Sequence, residues 1–176
     1  GRLRTLGLPS SFVATAGGRA ASDGLSSAFS ALAASGAEVV VLDCPEGEEP
    51  QVLELASAAG VAESRVHIRG GLEPFDRAAV LGTASVFVAA SARIDWPWRA
   101  IEALTVGTPV VAVDSAVHRE VLADAAAFAP AEDLAGAVAG ALGADAARLR
   151  VLAGDRAKGF SWREAAEKVW ALHADL

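Results

Sequence analysis

Short apolar runs, most of them rich in valine, return along this chain at nearly even intervals, and between them the apolar positions spread to helical spacing. The runs predict strands over residues 12–16, 38–43, 65–69, 86–90, 109–113 and 126–129. The spaced segments predict helices over 24–35, 51–59, 74–81, 98–106 and 117–122, with Gly36, Gly60 and Gly107 placed to end three of them. Strands that show no polar alternation are buried on both faces. Separated by helices, they imply an α/β fold: a doubly wound, six-stranded parallel sheet, Rossmann-like, with right-handed crossovers and strand order 3-2-1-4-5-6. After the sixth strand the pattern turns wholly helical, over 132–142, 145–158 and 161–174. Ser161 followed by Glu164 reads as a capping box opening the last of these, along which Trp162, Ala166 and Val169 recur at helical spacing. Trp162 and Trp170 read as packing residues.

Composition narrows the class. With 53% hydrophobic and 21% charged residues over 176 positions, one globular domain is expected. Asp, Arg or Gly interrupts every apolar run well short of the roughly 20 residues of a membrane-spanning helix, and no secretory leader pattern opens the chain. The net charge of −7 argues against a binder of the nucleic-acid backbone, which needs a basic face. Cys44 is the one cysteine, so it forms no internal disulfide and suits a reducing cytoplasm as a free, buried thiol.

Candidate chemistry collects in two loops. In the expected strand order the sheet reverses between strands one and four, so a ligand crevice should open from the segments that follow them. The first runs from Gly17 and Gly18 through Arg19 to Gly24; its glycines allow close backbone approach, and Arg19 offers a planar fork for phosphate oxygens. The second runs from Ser91 through Arg93, Asp95, Trp96, Trp98 and Arg99 into a helix carrying Glu102. Other chemistries fail on spacing. His67, His118 and His173 sit in separate elements without the partners a metal needs, and no G-x-S-x-G surrounds Ser91. Asp43 ends the second strand where a dinucleotide-binding acid would lie, but the first loop lacks the G-x-G-x-x-G spacing.

The chain resembles the C-terminal, donor-binding half of GT-B glycosyltransferases of the retaining group 1 family. The resemblance spans nearly all of it. It is carried by Leu6-Gly7-Leu8-Pro9, by Gly18-Arg19, by Arg65 to Gly70, and by the fourth strand up to Ser91. Most specific is Ile101-Glu102-Ala103-Leu104 followed by Gly107-Thr108-Pro109-Val110-Val111-Ala112. Arg119-Glu120-Val121 through Pro130 and the closing Phe160-Ser161-Trp162 complete the pattern. The resemblance implies that residues 1–176 form one domain of a two-domain enzyme, transferring a hexose from a nucleoside diphosphate sugar to an acceptor. It implies Gly18, Arg19, Ser91, Arg99, Glu102 and Glu120 at the donor site, with Arg19 on the diphosphate and Glu102 on the ribose. No cofactor and no metal are expected. The acceptor and any peripheral membrane contact belong to the missing N-terminal half, so the domain alone is expected to be inactive.

Several positions depart from the family. Its second carboxylate, which contacts the donor sugar, is replaced by Ile94, with Asp95 beside it as a possible substitute. The phosphate-binding lysine expected just before Gly24 is absent, Ser22 and Asp23 standing there, and Pro97 removes an amide N–H from the turn before the helix. Asp114-Ser115-Ala116 stands where glycines are usual. Arg99 or Arg93 is the candidate to restore the lost positive charge. Glu102 reads otherwise as a solvated helix residue beside Arg99, and Glu120 as a favourable charge at a helix start. The whole chain then reads alternatively as a degenerate, non-catalytic structural or interaction module.

Overall fold

A computed structural model describes residues 2–17, 22–93 and 96–161, without the side chains of Arg2, Ser22 and Asp23. Six strands, β1 (Val13–Ala16), β2 (Val39–Leu42), β3 (Val66–Arg69), β4 (Phe87–Ala89), β5 (Val110–Val113) and β6 (Ala126–Ala129), form one sheet in the order β3-β2-β1-β4-β5-β6. Every neighbouring pair is parallel. The expected doubly wound topology is therefore present, and each strand lies within a residue or two of its expected span.

Parallel pairing forces long crossovers, and helices supply them. They are α2 (Ser22–Ala33), α3 (Glu49–Ala58), α4 (Pro74–Thr83), α5 (Trp98–Thr105), α6 (Ala116–Leu122), α7 (Leu134–Leu142) and α8 (Ala146–Ala157), preceded by a short α1 (Arg2–Thr5) that the hydrophobic pattern does not signal. Because successive strand residues face opposite sides, the sheet feeds two cores. Val13, Val39, Val41, Val88 and Val111 pack with Leu25, Phe29 and Leu32 of α2 and Leu134 and Val138 of α7. Ala14, Val40, Leu42, Phe87 and Val110 pack on the other side with Val80 and Leu81 of α4, Ile101 and Leu104 of α5 and Leu122 of α6. The four residues of β2 and of β5 are wholly buried, whereas β3, an edge strand, is half-buried throughout.

Gly107, at φ +78°, takes the left-handed turn that ends α5 and sends the chain into β5. The tail after β6 is helical through Ala157, and a 3-10 turn over Lys158–Phe160 follows. The expected helix over 161–174, with Trp162, Glu164 and Trp170, lies outside the described residues beyond Ser161. Among the described residues no helix is long and apolar enough to cross a membrane.

Candidate functional site

β1 and β4 lie side by side, and the chain leaves both at the same end of the sheet, so the crevice of an open α/β fold falls between their carboxyl ends. Gly24 lets the first turn of α2 close onto it. A Cβ there would stand 2.7 Å from the Ser91 amide nitrogen and 2.8 Å from its Cα, distances that real Cβ atoms do not adopt. The segments after β1 and β4 thus flank one crevice. Gly18, Arg19, Ile94 and Asp95 lie outside the described residues, although both ends of each segment are placed: Gly17, whose N–H donates to Leu42 O at 2.6 Å, and Gly24; Arg93 and Trp96.

The crevice deepens into a cleft of about 50 Å³ between Thr15 and Ala16 of β1, Ser91 beyond β4, Pro97 and Arg99 at the start of α5, and His118 of α6. Thr15 is spent structurally, its Oγ1 donating to Val88 O at 2.8 Å. The N-cap position of α5 is Pro97, whose side chain offers its first-turn amides no acceptor. Trp96 and Trp98, both exposed, meet edge to face with centroids 6.2 Å apart.

Glu102 sits at the centre of a four-residue ionic network. Arg77 of α4 grips its carboxylate with Nε on Oε2 at 2.9 Å and Nη2 on Oε1 at 3.0 Å, and Arg99, one turn before it on α5, adds Nη1 on Oε2 at 3.0 Å. Arg99 also reaches Asp43 at the end of β2, with Nε on Oδ2 at 2.5 Å and Nη2 on Oδ1 at 3.1 Å. Since β1 lies between β2 and β4, this guanidinium spans the carboxyl end of β1, across the crevice. Asp43 holds its carboxylate there from a left-handed backbone, φ +59°, a conformation aspartate tolerates better than most residues. Burial pushes the Glu102 carboxyl upward, but the Arg77 hydrogen bond and the charges of Arg99 and Arg77 outweigh it and hold it below its ordinary value. Burial likewise disfavours charged Arg99, and the Asp43 and Glu102 carboxylates more than restore it. Glu102 is thus a half-buried, doubly paired carboxylate rather than a solvated helix residue.

Arg77 is absent from the sequence reading, because nothing in its spacing links a residue of the fourth helix to one of the fifth; only its arginine identity beside apolar α4 positions hints at a role. Ser91 lines the cleft. Glu120 does not, and its exposed side chain stands on α6 while its carbonyl accepts from Arg156. His118 is the residue of this site that sequence reasoning set aside. Ser115 caps α6 by accepting from the His118 N–H at 3.2 Å, and the buried ring donates from Nδ1 to Val113 O at 2.8 Å. Burial pushes its pKa down, against the smaller upward pull of that carbonyl. Among the described residues no three His, Cys, Asp or Glu side chains gather as a metal site requires.

A doubly wound sheet with an open crevice at its switch point places this chain among the α/β folds that bind ligands at the carboxyl ends of their strands. Residues 11–151 match the family described as glycosyl transferases group 1, and the chain belongs to that family. It is similar in fold to sucrose-phosphate synthase from Thermosynechococcus elongatus, with 23% identity and a TM-score of 0.80, over 99% of this chain and 48% of that one. It is similar also to HepE of Anabaena, solved with UDP and glucose, at 16% identity and TM-score 0.75, over 99% of this chain and 51% of that one. The pneumococcal O-GlcNAc transferase GtfA, solved with UDP and GlcNAc, matches at 17% identity and TM-score 0.73, over 95% of this chain and 35% of that one. The chain therefore spans about half the length, or less, of these solved relatives. No curated protein matches it by sequence.

Proposed function

We propose that residues 1–176 form the C-terminal, donor-binding half of a retaining glycosyltransferase that moves a hexose from a nucleoside diphosphate sugar to an acceptor. Arg99, which lines the switch-point cleft and is paired there with Glu102 one turn further along α5, supports this most directly. A carboxylate there accepts hydrogen bonds from the ribose hydroxyls, and guanidinium groups meet the charge that builds on a departing diphosphate. In this reading Arg19 and Arg99 carry the cationic role, with no cofactor or metal, Gly18 and Ser91 bring backbone close to the ligand, and Glu120 stands at its edge. Asp95 takes the place of the sugar-contacting carboxylate lost at Ile94. The acceptor and any membrane contact fall to an N-terminal half, and the lone, buried Cys44 fits a cytoplasmic protein.

The network sets a condition on this reading. A carboxylate offers about four acceptor positions, and the two arginines already occupy three on Glu102. Accepting both hydrogens of a vicinal diol therefore requires an arginine to leave. Arg99 has a second carboxylate, Asp43, to retain it nearby, and on leaving Glu102 its guanidinium is placed to turn to the diphosphate in place of the missing lysine. Calorimetric titration with uridine, guanosine and adenosine diphosphates and their sugars tests the site. Arg19→Ala and Glu102→Ala are each expected to weaken binding by roughly 1.5–3 kcal/mol, the range for hydrogen bonds to charged groups. Unchanged affinity in both variants rejects the site. The occupied Glu102 also favours a second reading, a non-catalytic module, for which no member of the panel binds.

A further inference from the structure

His118 is 1% exposed, yet it lines the cleft, and the donor-site chemistry described above makes no use of it. Val113 O is an acceptor only, so the ring nitrogen bonded to it, Nδ1, carries the proton. The other nitrogen, Nε2, is then a bare lone pair. No partner for it exists among the described residues, and it is not sealed from solvent, since no buried side-chain nitrogen or oxygen among them lacks a hydrogen bond. His118 thus brings a fixed acceptor to the cleft, held in its tautomer by the Val113 carbonyl and in place by the Ser115 cap of α6.

The walls beside this acceptor are apolar: Phe87, Val88, Ala89 and Ala100. A cleft of about 50 Å³ holds a small group rather than a whole sugar ring. A hydroxyl borne on carbon satisfies both features, the carbon against the wall and the O–H donating to the nitrogen. An anion does not. A phosphate oxygen facing Nε2 needs the ring to take up a second proton, and burial opposes that charge.

We propose that His118 Nε2 reads a hydroxyl of the sugar moiety of the bound donor, making His118 a specificity residue for that sugar. The inference rests on the nucleotide-sugar reading above. Its test compares each nucleoside diphosphate of the panel with its sugar ester, in the wild-type chain and in two variants. His118→Asn keeps an N–H near the Nδ1 position for Val113 O and removes the Nε2 acceptor; His118→Gln places an amide oxygen near Nε2. The Asn variant is expected to bind the sugar nucleotide about tenfold more weakly than wild type, the scale of one hydrogen bond, with affinity for the bare diphosphate unchanged and part of the loss recovered in Gln. Nitrogen NMR of the histidine rings in the wild-type chain reads the same contact without a substitution. Nε2 should be unprotonated in the free protein and should shift on adding the sugar nucleotide but not the diphosphate alone.

Equal loss for diphosphate and sugar nucleotide overturns the inference, as does full affinity in the Asn variant. Protonation of Nε2 on adding diphosphate alone places phosphate in the cleft and overturns it too. A wild-type chain that binds nothing in the panel overturns the functional reading itself and this inference with it, whereas binding indifferent to His118 overturns the inference only.

Discussion

Two buried or half-buried groups, Glu102 and His118, make this domain sensitive to acid, and their signs agree. His118 has its pKa lowered on folding by burial, so below its ordinary value of about 6.5 the unfolded chain binds the extra proton first. The stability it supports is complete above that value and drains as pH falls toward the depressed folded one. Glu102, also depressed, adds stability present above its unfolded value of about 4.3 and lost as pH falls below it. Urea midpoints should therefore begin to drop between pH 7.5 and 5.5, and His118→Phe, which removes the titrating ring, should flatten that first decline. An unchanged slope in the variant assigns the decline to another group. Neither behaviour is legible in the sequence. His118 reads there as an isolated histidine, because the carbonyl that fixes its tautomer belongs to Val113 at the end of β5, and burial is a property of the packed sheet. Glu102 stands out in the sequence by its place in the Glu-Ala-Leu segment, but Arg77, which contributes two of its three hydrogen bonds, comes from another helix.

At the scale of elements, the seam between α2 and β4 decides whether the crevice exists. The Gly24 Cα side faces Ser91 backbone, not a flexible side chain, so a substituent there has nothing that can swing aside. Gly24→Ala must push α2 away from the sheet, against Leu25, Phe29 and Leu32, which anchor that helix in one core. A loss of about 1–3 kcal/mol, the range for overpacking a close-fitting interior, is expected from urea unfolding. Donor affinity should fall further than this strain alone implies, because the loops on either side of the seam are pushed apart. A variant as stable as wild type removes the close approach from the account. The strands were readable because a parallel sheet covered on both faces demands unbroken apolar runs, and Val39–Leu42 and Val110–Val113 obey that demand fully. Helix bounds shifted where the end turn is 3-10 rather than α, as at Ala131–Asp133, which opens into α7. α1 escaped notice because one short turn, Arg2–Thr5, leaves no periodicity to detect.

At the scale of the whole molecule, the matched relatives are about twice as long as this chain or longer, and the crevice lies at the carboxyl ends of β1 and β4. Transfer between two substrates requires the acceptor hydroxyl to be held in reach of the donor's anomeric carbon and water to be kept out. A crevice at the strand ends with a cleft of about 50 Å³ supplies neither. The chain alone is therefore expected to bind donor but to release no nucleoside diphosphate in an acceptor-dependent way, measured by a coupled nucleotide-release assay. Joined to an N-terminal half it should turn over slowly unless Asp95 and Arg99 compensate, because losing one preorganised donor to a developing anion costs about a hundredfold to a thousandfold and both the lysine before Gly24 and the carboxylate at Ile94 are absent. Asp95→Ala and Arg99→Ala in that longer protein then separate compensation from indifference. A further fall in turnover in either variant assigns that residue a substitute role, and turnover indifferent to both leaves the missing groups uncompensated. Acceptor-dependent release by the 176-residue chain itself overturns the half-site account outright.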